Sequence, residues 1–238
     1  MVRYERYNAG IVKLGLTQIG PGKSLLASER VLILQEDSMA GDGFPDVIWI
    51  PAHSDRHKVK SSRQIDAVVL HVTDGKAVDA QQTARNVFAQ PKQLGAHGKW
   101  QVQSAHYIVG RDGTVVQCVR HKDIAFHANE ENSYTIGIEH NARDPGDTTL
   151  TDVQYWKSAK LVIWIGKQLG LPVFDRWYLQ GHSEIDQTTT HSQCPQRALS
   201  WRTYMQAMAD VQAMSEGRRP SHASLGHLGN LRSRSLIS

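Results

Sequence analysis

Cysteine is scarce in this chain: 238 residues hold two, Cys118 and Cys194. That excludes the disulfide framework that staples small secreted domains, although a single bridge stays open. Long hydrophobic runs are absent as well. No stretch approaches the ~18 apolar residues that a membrane-spanning helix needs. The opening MVRYERYNAGIVKLGLTQIG lacks an apolar core followed by a small-residue cleavage site, so no secretory signal is read. Nor is there a large charge of one sign. Of the 27 basic residues, four (Arg218, Arg219, Arg232, Arg234) lie beyond Gly217 with no acid among them, which leaves 23 basic against 23 acidic residues in the rest. The net charge of +4 therefore belongs to the tail. A basic groove for nucleic acid is not expected in the folded part.

What is present suits one large domain with extensions. Hydrophobic residues make up 40% and charged residues 21%, enough for a sizeable core. Residues 1–60 read as an N-terminal extension of uncertain structure, in which AGIVKLGL, RVLILQ and DVIWIP have strand-like content between turn segments. The main domain is expected over 61–216. IDAVVLHV is a nearly continuous apolar run, as in a buried strand. DAQQTARNVFAQP reads as a helix closed by Pro91. HYIVGRDGTVVQCV reads as two strands around a tight Asp-Gly turn. YTIGIEHN and WYLQGH are further strands. TDVQYWKSAKLVIWIGKQLG is the clearest helix, with Thr151 and Gln154 as a capping box, an apolar stripe through Val153, Trp156, Ala159, Val162 and Ile163, and Gly170 with Pro172 as its stop. SWRTYMQAMADVQAM is a final amphipathic helix. This alternation predicts an α/β fold, a mixed central β-sheet flanked by helices. The segment 217–238, dominated by Gly, Ser, Arg and His, is expected to be a disordered basic tail.

The polar residues of interest fall at strand ends, where side chains of α/β sheets converge on clefts. His71 ends AVVLH, Glu139 ends IGIE and His182 follows YLQG. Cys194 lies in THSQCP, a composition that suits a thiol nucleophile, a metal ligand, half a disulfide or a buried thiol. Two imidazoles and a thiolate form a recognised set for catalytic zinc with one position open for water. Their separations in sequence are long, so spacing alone is weak. His191 and Asp186, in the same loop as Cys194, are rival third ligands. Cys118 reads as a small buried hydrophobe. His97, His106, His121, His140, His222 and His227 read as non-ligands.

The segments IDAVVLHVTDG, SAHYIVGRDGTVVQCV, DIAFHANEENSYTIGIEHN and LQGHSEID…SQCP occur in that order. Together they resemble the zinc-dependent N-acetylmuramoyl-L-alanine amidase family, which includes phage amidase-type lysozymes and peptidoglycan recognition proteins, over roughly residues 60–205. The resemblance implies that family's fold. It also implies His71, His182 and Cys194 as zinc ligands, the third position being Cys or Asp in the family. Tyr107 matches an active-site tyrosine, Glu139 the acid that some members use as a base, and Ser192 a position held by lysine or threonine. His127 and Asn132 match a segment lining the peptide groove. Gln196, where the family often has glycine, and the long DQTTTH insertion are departures.

The implied reaction is hydrolysis of the amide between N-acetylmuramic acid and L-alanine of peptidoglycan or a muropeptide. Zinc would lower the pKa of a water toward ~7 and polarise the carbonyl. Glu139 would move the proton, and Tyr107 and Ser192 would donate to the oxyanion. A muropeptide-binding module without activity is the alternative; such relatives lose the third ligand. A cysteine peptidase pairing Cys194 with His182 leaves His71 unexplained. The expected protein is a monomer made in the cytoplasm. It acts on cell wall after release or delivery, as a bacteriolytic endolysin or effector, with cytoplasmic recycling of wall fragments as the other setting.

Overall fold

The computed structural model describes residues 41–73, 79–95, 98–142 and 149–220. The stretches AGIVKLGL and RVLILQ and most of the arginine tail lie outside the described residues. Ten strands are described: β1 (Ile48–Trp49), β2 (His57–Lys58), β3 (Ala67–Val72), β4 (Gln93–Leu94), β5 (Trp100–Gln101), β6 (Tyr107–Val109), β7 (Val115–Gln117), β8 (Ile124–Ala125), β9 (Thr135–His140) and β10 (Leu179–Gly181). The helices are α1 (Ala80–Thr83, running on into a wider turn to Phe88), α2 (Asp152–Leu169), α3 (His182–Ile185) and α4 (Trp201–Ser215).

Six strands form the central sheet in the order β1-β7-β6-β9-β3-β10. β6 and β7 run antiparallel, and the other neighbours run parallel. The fold is thus the mixed α/β sheet expected. β3 sits between two parallel neighbours and all six of its residues are buried, which explains its unbroken apolar run. The β6–β7 turn is made by Gly113 at φ 83°, and Asp112 accepts from the Thr114 amide at 2.9 Å. One face of the sheet packs on α2 and α4: Val68, Leu70, Val72, Tyr107, Val109, Ile136 and Ile138 share a core with Tyr155, Leu161, Val162 and Met208. The other face carries a smaller core of Ile108, Val116, Ala80, Ala84 and Phe88.

The α2 helix starts at the Thr151–Gln154 capping box and ends at Gly170, φ 69°. Its buried face is rotated from the expected stripe. Trp156 and Val153 are half-buried, while Gln154 and Ser158 are fully buried. The polar pair can be inside because it is satisfied. Gln154 donates to Val109 O and Asn141 O at 3.2 and 2.9 Å, and Ser158 lies 2.7 Å from His140 Nε2.

Residues 41–60 pack on the main domain through strand pairing. β1 adds an edge strand beside β7, and β2 pairs with β8. Arg56 is 2% exposed and its guanidinium donates to Gln90 O, Pro91 O and Gln103 O at 2.7–3.1 Å. A short apolar strand and one arginine carry little periodic signal, so this docking is invisible to patterning. No helix among the described residues is long and apolar enough to cross a membrane.

Candidate metal centre and active site

His71 is the second-last residue of β3. Side chains alternate along a strand. Leu70 and Val72 enter the core under α2 and α4, so His71 projects from the opposite face. β10 pairs Gly181 with Leu70, which brings the next residue, His182, level with His71. Their ring centroids are 4.5 Å apart. Gly181 is needed here: a Cβ on it would come within 2.5 Å of Pro195 Cδ. The close approach lets the Cys194 loop fold back on the strand end, where the Ser183 amide donates to Cys194 O at 2.9 Å. The Val72 amide points at Cys194 Sγ, 3.4 Å away, a contact that favours the thiolate. The ligand atoms of His71, His182 and Cys194 all lie within 4.8 Å of one another, and all three residues are buried.

Each imidazole is held from behind. His71 Nε2 lies 3.0 Å from His127 Nδ1, and His127 Nε2 lies 3.2 Å from Thr135 Oγ1. The His127 ring rests on Gly137, where a Cβ would come within 2.5 Å of it. That contact explains the glycine in YTIGIEHN. His182 Nε2 faces Asp186 Oδ2 at 3.4 Å. Burial holds the His71 pKa well below the usual imidazole value, with His127 and His182 nearby adding to the shift. Burial takes His127 down to about 3 and lowers His182, against the opposing pull of Asp186. All three rings are therefore neutral at pH 7, the state a metal requires. The donor set of two neutral imidazoles and a thiolate fits zinc.

The rivals of Cys194 take other places. Asp186 is 1% exposed and sits behind His182; its carboxylate accepts from Thr188 N, Thr188 Oγ1 and Asn129 Nδ2 at 2.7–2.9 Å. His191 is exposed and stacks on His182 at 5.9 Å. Among the described residues, the one such cluster is His71, His182 and Cys194.

Glu139 pairs with both His71 and Ile108 across the sheet, so it leaves the same face as His71 and is half-buried beside it. Ser192 lies on the exposed turn before Cys194. Asn132 caps the loop at 127–132, accepting from the His127 and Ala128 amides at 2.7 Å each. Tyr107 is not brought to the cluster, which corrects its expected role. It pairs with Ile138, one residue before Glu139, and so leaves the opposite face. It is 0% exposed, with its hydroxyl 2.7 Å from His121 Nε2, and the His121 ring lies 5.8 Å from Trp164 of α2.

The sequence reading missed a second buried chain. His140 Nδ1 donates to His71 O at 2.8 Å, and its Nε2 meets Ser158 Oγ, which meets Tyr204 OH at 2.6 Å. It ties the β3 end to α2 and α4. A histidine directly after the strand-end acid was the only signal available.

The chain is similar to several known proteins. A family model described as N-acetylmuramoyl-L-alanine amidase matches residues 61–197. N-acetylmuramoyl-L-alanine amidase A of Achromobacter lyticus is 32% identical over 142 residues, 58% of this chain and 72% of that protein. A solved selenomethionine derivative of AmpD superposes with a TM-score of 0.55 at 19% identity, covering 69% of this chain and 96% of that one. N-acetylmuramoyl-L-alanine amidase LysC from Clostridium intestinale URNW gives 0.52 at 15% identity, covering 71% and 99%. At those identities the two structures speak for the fold.

Proposed function

The chain belongs to the N-acetylmuramoyl-L-alanine amidase family and is a peptidoglycan amidase, and from that premise we propose that it hydrolyses the muramoyl–L-alanine amide with a zinc ion held by His71, His182 and Cys194. The observation that carries this is the convergence of those three donor atoms within 4.8 Å at one end of the sheet. The chemistry that a zinc ion bound there would supply is Lewis acidity toward the scissile carbonyl and a water acidic enough to attack at neutral pH.

The chain's own groups do the rest. His71, His182 and Cys194 would hold the ion. Glu139, on the same face and level with His71, accepts a proton from the attacking water and returns it to the departing alanine amine. Ser192, on the turn two residues before Cys194, donates to the oxyanion from the solvent side. The stem peptide is placed on the side of the cluster away from His127 and Asp186, which lie against the two rings. The completeness of the ligand set favours hydrolysis over mere binding of muropeptide. We assign the lytic setting, an endolysin or delivered effector acting on intact wall, ahead of recycling.

Metal analysis with a digestion assay tests the reading. The purified chain should hold one zinc and release stem peptide from purified sacculi, and a chelator should stop it. Glu139→Gln should keep the zinc and lose ~10²–10⁴ in kcat. Stem-peptide binding without cleavage would favour the binding module. Activity on soluble anhydro-muropeptide but not on sacculi would move the setting to recycling.

A further inference from the structure

The hydrogen bonds behind the cluster fix where each imidazole proton sits. Thr135 Oγ lies 2.7 Å from Glu131 O. A carbonyl only accepts, so the threonine hydroxyl spends its proton there. Thr135 Oγ can then only accept from His127 Nε2, 3.2 Å away. A neutral imidazole has one N–H, so His127 Nδ1 carries the lone pair. It accepts from His71 Nε2–H at 3.0 Å. His71 is left with its lone pair on Nδ1. The same reasoning applies to His182. Its Nε2 faces a carboxylate, Asp186 Oδ2 at 3.4 Å, and so carries the proton. Its lone pair is also on Nδ1.

Both lines of support start in one segment. His127 heads it and Thr135 closes it. Between them Asn129, held at φ 48°, donates from Nδ2 to Asp186 Oδ2 at 2.7 Å. Asn132 fixes the segment from within by accepting the His127 and Ala128 amides. We propose that residues 127–135 are the positioning frame of the metal centre: through His127–Thr135 they set His71, and through Asn129–Asp186 they set His182, so that both histidines present Nδ1 before any metal arrives. His127, Thr135, Asn129 and Asp186 are thus positioning residues. The inference rests on the zinc reading above for its purpose, but the tautomers it assigns belong to the metal-free chain. Partners of this kind raise metal affinity because an imidazole fixed in its ligating tautomer has nothing left to reorganise.

The test uses the full chain labelled with ¹⁵N-histidine, stripped of metal, and read by long-range ¹H–¹⁵N spectra near pH 7. Zinc affinity is measured beside it by chelator competition. His71 and His182 of the wild type should both appear as Nε2–H tautomers. Thr135→Val should lose the single tautomer at His71 and bind zinc ~10-fold more weakly. Thr135→Ser should restore both. Asn129→Ala should weaken zinc by a similar factor with the His71 signal unchanged. Thermal melts establish that each variant is folded, and the wild-type tautomers decide the matter even if Thr135→Val does not fold. An Nδ1–H tautomer at His71 in a chain that takes up zinc would overturn the frame alone, as would a Thr135→Val chain with wild-type tautomer and affinity. Correct tautomers in a wild-type chain that takes up no zinc would instead overturn the zinc reading, and the frame's purpose with it.

Discussion

Cys118 and Cys194 are both buried, at 2% and 8% exposure, and both are free of disulfides. Their surroundings differ. Cys118 lies among Ile50, Ala52, Ile108, Val116 and Ala125, and burial alone pushes its thiol far above the usual range. Nothing there stabilises a thiolate, so it stays protonated and inert. Cys194 has the Val72 amide aimed at its sulfur and two neutral imidazoles within 4.8 Å. Burial by itself therefore says little about a cysteine. The polar groups around each thiol separate a packed hydrophobe from a candidate metal ligand.

The largest test of that contrast is Cys194→Ala. It should lose bound zinc and fall to background amidase activity, at least ~10³-fold, while the fold survives. Retained zinc in that variant would return Asp186 or His191 to contention. Acid should expose the histidine-rich region next. In the metal-free chain, burial holds His127 at about 3 and His140 at about 4, against 6.5 when unfolded. Below pH 6.5 the unfolded chain binds protons that the folded chain refuses. Stability should therefore be full above that pH and fall by several kcal/mol as pH drops toward 4. A denaturant midpoint flat from pH 7 to 4 would contradict the buried neutral rings. Cys118→Ala should cost about 1–2 kcal/mol of stability by leaving a small void, with zinc content and kcat near wild type. Smallest is Tyr107→Phe. Loss of the His121 contact should cost about 1 kcal/mol and leave the rate within a few-fold. A kcat drop of 10²-fold would place the hydroxyl in the reaction after all.

Tyr107 shows where a linear reading runs out. In SAHYIV, neighbours on both faces of β6 are buried. Hydrophobicity does not alternate in such a strand, and nothing in the sequence says which face a residue takes. The register supplied that, by pairing Ile108 rather than Tyr107 with Glu139. Elsewhere local chemistry was enough. Thr151 and Gln154 could be read as a capping box because its partners are three residues apart. Gly137 is the reverse case. Its reason is the His127 ring lying on it, ten residues away in sequence and in contact only after folding.

The strands and helices with local signals are legible in the chain alone: the apolar run of β3, the caps of α2 and the Asp-Gly turn. The residue types that suit a candidate metal site, His71, His182 and Cys194, can also be read there in order. Folding is what brings Cys194, and not Asp186 or His191, into the cluster with His71 and His182, and what places His127 and Asp186 behind the two rings. Those choices depend on contacts between segments as far apart as His71 and Cys194. Chain spacing does not fix such contacts; the parallel register of β3, β9 and β10 does.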